Sequence, residues 1–165
     1  MSEMRTLPSV ARLRELFELT ADGRLWNRVT RNGRAQAGQE AGSVNGNGYR
    51  RVKVDGVRLL VHRAIYAMAT GVYPLMQIDH IDGDRSNNLP ANLRDVSNAL
   101  NGQNQRGARP DSSTGLLGAS PSLGGFRAHI RVNGRTRFLG RFATAEEAHA
   151  AYLAAKRILH QGCTI

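Results

Sequence analysis

Residues 78–105 read IDHIDGDRSNNLPANLRDVSNALNGQNQ. An acid and a histidine, Asp79 and His80, stand side by side at the end of an apolar segment, and an asparagine-rich stretch then returns toward them. The polar run DGDRSNN after His80 is a turn. A short strand is expected from Asn92 to about Val96, with Leu93 and Val96 as its apolar positions. A helix is expected from Ser97 or Asn98, where a small polar side chain can cap the first free amides. In a hairpin followed by a helix, Asn92 comes back beside His80. Asn101 lies one turn into the helix and can face Asp79.

Those residue types answer a specific chemical demand. Hydrolysis of a phosphodiester with one metal ion needs a carboxylate for the ion, a base for the water, a group to hold that base, and a second ligand. A lone Asp-His pair is an ordinary surface feature. The ordered set Asp79, His80, Asn92 and Asn101, in a strand-loop-strand-helix context, is not.

Residues 58–106 resemble the HNH nucleases and their ββα-metal fold, most of all the phage and intron-type branch in which the last His of the name is an Asn. The resemblance rests on Asp79-His80, on NNLPANL at 87–93 and on Asn101. It implies His80 as general base, Asn92 as the residue that orients its imidazole, and Asp79 and Asn101 as ligands of a divalent ion. Hard oxygen donors suit magnesium or manganese. Asn87, Asn88, Asn98 and Asn104 read as turn, cap or contact residues, with Asn98 and Asn104 as near alternatives to Asn101. Cys163 is the one cysteine, so no structural zinc held by paired CxxC motifs can form. It gives no disulfide framework either, which makes an intracellular, reducing, cytoplasmic setting the expectation.

Composition agrees with a polyanionic partner. The 165 residues carry a net charge of +10, and all but Lys53 and Lys156 of the 23 basic residues are Arg. Arg forks pair with phosphate oxygens and guanine edges. Hydrophobic residues are 41% and aromatics 5%, enough for a modest aliphatic core. No stretch approaches the apolar length of a membrane span. Double-stranded DNA is the expected partner, with no membrane, and a monomer is expected.

Outward from the motif, residues 10–19 carry a helical apolar stripe at Val10, Leu13, Leu16 and Phe17. Residues 30–48 read as a long Gly- and Asn-rich loop, in which Arg28, Arg31 and Arg34 could track DNA. Asp55-Gly56 is a two-residue hairpin signal between 49–54 and 57–60. A helix over 60–69 follows. Its His62 is a structural residue or a phosphate contact rather than the base, and Arg63 is assigned to DNA.

RGARPDSSTG at 106–115 is a polar break. It divides the chain into a nuclease domain at 1–106, a linker at 107–115 and a second domain at 116–165. Residues 107–165 hold eight basic and three acidic side chains, the denser basic footprint. Gly124 to Val132 and Arg135 to Phe142 flank Asn133-Gly134, another hairpin turn. Thr144 and Glu147 have the spacing of a capping box before a small-residue helix. The hairpin register that pairs Val132 with Arg135 puts Arg127, His129, Arg131, Thr136 and Phe138 on one face. Ala128, Ile130, Val132 and Leu139 take the other, with Arg137 awkwardly on the helix side. A one-residue bulge would instead move Arg137 to the basic face and Phe138 into the core; the first register is preferred.

The stretch FRAHIR, LGRF and TAEEAHAAY resembles the plant ethylene-response-factor (APETALA-type) DNA-binding domain, over about residues 114–162. That resemblance implies a three-stranded sheet laid in the major groove with its helix behind. Arg127, His129, Arg131 and Phe138 would then face DNA, with Arg141 flanking them. The first strand, Leu116 to Ser120, is short and lacks the usual basic cluster. The fold expected is α+β: a ββα-metal core followed by a small three-stranded antiparallel sheet packed on one helix. Two functions compete, a site-preferring DNA endonuclease of the free-standing phage homing type and a non-catalytic DNA-binding regulator on the same scaffold.

Overall fold

Ser9 opens the first helix, α1 (Val10–Leu16), by accepting the Arg12 amide on its hydroxyl. The apolar stripe continues to Leu19, but the helix does not. Phe17 turns extended, and β1 (Phe17–Leu19) pairs antiparallel with β2 (Leu25–Asn27). Strand pairing thus takes residues whose periodicity also fits a helix. The computed structural model describes residues 6–165. The described residues fold as two units that divide between Val96 and Ser97.

In the first unit, β3 (Ser43–Val44), β4 (Arg50–Val54) and β5 (Val57–Leu60) form a three-stranded sheet in that order. Asp55 and Gly56 both have positive φ, 47° and 82°, as the expected two-residue turn requires. Helix α2 (Val61–Thr70) stops at Gly71, whose φ of 85° provides a left-handed cap. The helix buries Val61, Ala64, Ile65 and Met68 in one core with Leu13, Phe17, Val52 and Ile78. Burying such a side chain fully stabilises by about 1.5–3 kcal/mol, so this core fixes the strand that leads to the site.

That strand is β6 (Gln77–His80), antiparallel to β7 (Leu93–Val96). Ile78 and Leu93 anchor the pair in the core. Asn92 stands outside the strand, contrary to the sequence expectation. It closes a single 3-10 turn, Pro90–Asn92, that leads into β7.

The second unit begins with α3 (Asn98–Gln103), capped by Ser97 through the Leu100 amide. Then β8 (Ala119–Ser122), β9 (Gly125–Val132) and β10 (Arg135–Phe142) form an antiparallel sheet with β9 in the centre. Helix α4 (Ala145–Leu159) carries the full capping box of Thr144 and Glu147. Ala128 and Ala148 are fully buried, so sheet and helix approach closely. The chain is α+β with small antiparallel sheets.

The β9–β10 register is the preferred one: Val132 lies opposite Arg135, and His129 opposite Phe138. The register then slips once, so that Gly140 meets Ala128 and Arg141 meets Arg127. Leu139 and Phe142 both pack on the small core, although they stand three positions apart. A regular strand would send them to opposite faces; one extra residue reconciles them. The same slip brings Arg141 onto the face of Phe138. Arg137 lies opposite Ile130 but is exposed.

Candidate active site

Asp79 and His80 end β6 and are both buried, at 5% and 4% exposure. Adjacent strand residues leave on opposite faces. The two side chains therefore have different surroundings at one strand end.

The Asp79 carboxylate is met across the hairpin by Arg94, its partner in register. Arg94 donates Nε (2.9 Å) and Nη2 (2.7 Å) to Asp79 Oδ2. This charge-assisted pair fixes the carboxylate's orientation. Among the described residues, no three His, Cys, Asp or Glu side chains gather as a metal cage. One buried carboxylate, that of Asp79, is a hard, incomplete donor set. It fits an ion such as magnesium, which accepts one or two carboxylates and fills its shell with phosphate and water. It does not fit a closed zinc site.

His80 Nε2 lies 3.1 Å from Asn88 Oδ1. The Asn88 amide is oriented by its own Nδ2, which donates to the Ser86 carbonyl (3.3 Å). An oxygen therefore faces the imidazole, and an oxygen only accepts. A neutral ring that donates to this oxygen does so as the Nε2–H tautomer, with its lone pair on Nδ1. Two aromatic rings neighbour the imidazole. His62 meets it edge-on with centroids 5.2 Å apart, and Tyr49 lies 6.2 Å away. His62 is itself buried, and burial pushes it down to about 4, helped by the neighbouring His80 and Arg63. It is neutral at pH 7.

Asn92 acts differently from the sequence expectation. Its side chain meets the loop rather than the imidazole. Nδ2 donates to Asp82 Oδ1 (2.9 Å) and to the Asn87 carbonyl (2.8 Å), and Oδ1 accepts the Asp82 amide (3.0 Å). The physical reason is position: the 3-10 turn sets Asn92 under the loop 82–88, and the loop brings Asn88 to His80. Asp82 also accepts from Asn87 and the Asp84 amide. Burial would raise the Asp82 carboxyl, but these bonds outweigh it and hold it below the usual range. Gly23, at φ 76°, abuts the Leu89 backbone so closely that a Cβ would lie 2.5 Å from its amide nitrogen. The β1–β2 turn thus buttresses the same loop.

Arg63, assigned to DNA from the sequence, donates to the carbonyls of Met76 (2.7 Å) and Pro74 (2.9 Å). It braces the segment before β6. Arg31 is likewise taken up by Lys53 O, Asn27 Oδ1 and the Phe17 ring. Asn101 stands in α3 of the second unit, its amide bonded to the Ser97 carbonyl. Asn88 and the His62 and Tyr49 rings are not legible in the sequence as site residues. A second Asn beside Asn87 is the available signal, and turn chemistry explains it equally well.

In the second unit, Arg127, Arg131, Phe138 and Arg141 are exposed and His129 is half-buried. Register places them on one face of the sheet, away from Ala128, Ile130 and Val132. Phe138 is 64% exposed, an unusual place for a phenyl ring.

The family model described as HNH endonuclease matches residues 59–103. The matched segment runs from the end of β5 to the end of α3 and contains Asp79, His80, Asn88, Asn92 and Asn101. Among solved structures, that of the HNH homing endonuclease I-HmuI, described for its DNA binding and cleavage, is similar with a TM-score of 0.43 and 23% identity. The likeness covers 59% of this chain, and the chain spans about 56% of that protein. No curated protein sequence matches the chain. Among the described residues, no helix is long and apolar enough to cross a membrane.

Proposed function

We propose that the chain is a metal-dependent DNA endonuclease that hydrolyses phosphodiester bonds, of the free-standing phage homing type. The carrying observation is His80, buried at the end of β6 beside Asp79, with Nε2 on an asparagine oxygen. An Nε2–H tautomer held by that oxygen would put the ring's lone pair on Nδ1, the atom we assign as base toward the attacking water. Asn88 is the group that holds the base, and Asn92 positions it through the loop. Asp79 is the proposed metal ligand on the geometry of the site, and Asn101 the second on the motif resemblance. A divalent ion, when bound, would offset charge on the scissile phosphate and the leaving oxygen. Magnesium is the proposed ion.

The domain division at 1–106, 107–115 and 116–165 belongs to the same reading. The ethylene-response-factor-like sheet would bring duplex DNA to the nuclease through Arg127, His129, Arg131, Phe138 and Arg141. A net charge of +10 supports that partner.

Purified full chain should convert supercoiled plasmid to nicked or linear product in magnesium, and excess chelator should stop it. His80→Ala should slow cutting by roughly two to four orders of magnitude while DNA affinity stays within a few-fold. Equal loss of binding and cutting, or full activity in chelator, would overturn the assignment.

A further inference from the structure

Between α2 and β6 runs the segment Val72-Tyr73-Pro74-Leu75-Met76. Its underside is anchored. Tyr73 packs on the core of the first unit and Pro74 is buried. Its backbone is clamped by two charged side chains. Asp95 accepts the Leu75 amide (2.7 Å) and the Met76 amide (2.8 Å) on separate carboxylate oxygens. Arg63 donates to the carbonyls of Pro74 and Met76. Four charge-assisted bonds on so few residues make a rigid support. What it displays is apolar: Leu75 is 94% exposed, Val72 64% and Met76 56%.

A pinned backbone presenting large bare side chains is the reverse of a solvated loop. Met76 immediately precedes β6, and three residues of extended chain, about 10 Å, separate it from Asp79. That is roughly three base-pair steps of duplex. On a chain of net charge +10, an apolar tip so near the proposed phosphodiester-cutting site fits the base stack of duplex DNA. Leu and Met are among the side chains that enter base steps from the minor groove and kink the duplex.

We propose that Leu75 and Met76 form a wedge that enters a base step of duplex DNA from the minor groove, beside the bond to be cut. The inference rests on the endonuclease reading. Its consequence is physical: a step opened by a wedge unwinds and bends, and steps that unstack easily are preferred.

The test uses full-length protein carrying His80→Ala, so that DNA stays uncut. Nicked plasmid is sealed by ligase with the protein bound, deproteinised, and resolved into topoisomers. Protein with Leu75 and Met76 intact should shift the distribution toward unwinding with increasing dose. Leu75→Ser/Met76→Ser should lose most of that shift. Its affinity should change by less than about threefold, because phosphate contacts dominate binding. Leu75→Phe should retain the shift, which excludes misfolding as the cause. The proposal fails if both proteins shift topoisomers equally, or if neither does while bound. It also fails if the double variant changes only the sedimenting mass, which would mark a contact between copies of the chain. Absence of DNA binding by either protein would instead overturn the endonuclease reading itself.

Discussion

Asn88→Ala removes the oxygen that faces His80 Nε2 at 3.1 Å, together with the long Nδ2–Ser86 bond that orients it, while leaving the Asn92 ties of the loop in place. One neutral hydrogen bond of this kind contributes about 0.5–1.5 kcal/mol net. If it acts by holding the ring and its tautomer, cleavage should slow roughly 2- to 12-fold. That is far less than the loss expected for His80→Ala, because the base itself remains. Asn92→Ala should behave differently. It deletes three bonds to residues 82 and 87, and should cost about 2 kcal/mol of stability and about 4–8 °C in Tm. The assay is single-turnover cutting of supercoiled plasmid with protein in excess, beside thermal unfolding of each variant. Nitrogen NMR of His80 supplies the tautomer directly: Nε2–H should dominate in the wild type and weaken in Asn88→Ala. The reasoning is refuted if Asn88→Ala cuts at the wild-type rate while Asn92→Ala slows cutting with unchanged Tm. Asn92 would then hold the imidazole itself.

His62 carries a pH signature. Its folded value, about 4, lies below the ordinary 6.5, so the unfolded chain takes the proton first. The stability it contributes is complete above about pH 6.5 and is lost as pH falls toward 4, by about 2–3 kcal/mol. Urea midpoints should fall between pH 7 and 4.5, and His62→Gln should flatten that fall; parallel titrations would contradict it. Arg127→Ala/Arg131→Ala should lower the slope of log affinity against log salt by about 0.9 for each phosphate that the two guanidinium groups neutralise, with plasmid cutting retained at low salt. An unchanged slope would mean this face does not meet DNA. Gly118→Ala should destabilise the second unit by roughly 3 kcal/mol, because φ is 72° and a Cβ would lie 2.0 Å from the Tyr152 ring. Thermal unfolding measures it, and a wild-type Tm would show that the ring yields.

Much of the second unit is legible in sequence because its signals are local. Asn133-Gly134 specifies a two-residue turn, and a turn of fixed length sets register. The Thr144–Glu147 spacing states where α4 begins. The bulge at Leu139 is not legible in the same way, since it follows from a tertiary demand. Leu139 and Phe142 must both reach the core, and only the packed sheet shows that they do. The same limit applies to α1, whose stripe does not reveal that Phe17 to Leu19 find a strand partner in Leu25 to Asn27.

The motif itself divides along that line. The chain's residue types determined that Asp79 and His80 end a strand, that a polar loop and a second strand follow, and that Ser97 starts a helix. Those features depend on neighbours a few residues away. Which asparagine serves the imidazole was decided only by the folded loop. Asn88 and Asn92 are equivalent as letters, but the 3-10 turn sends Asn92 to the loop's backbone while the loop carries Asn88 to His80. Tertiary structure likewise gave Arg63 to carbonyls rather than to solvent, and set His62 edge-on against His80. A side chain's role depends on which groups reach it within about 3 Å, and that distance is set by packing between segments far apart in sequence.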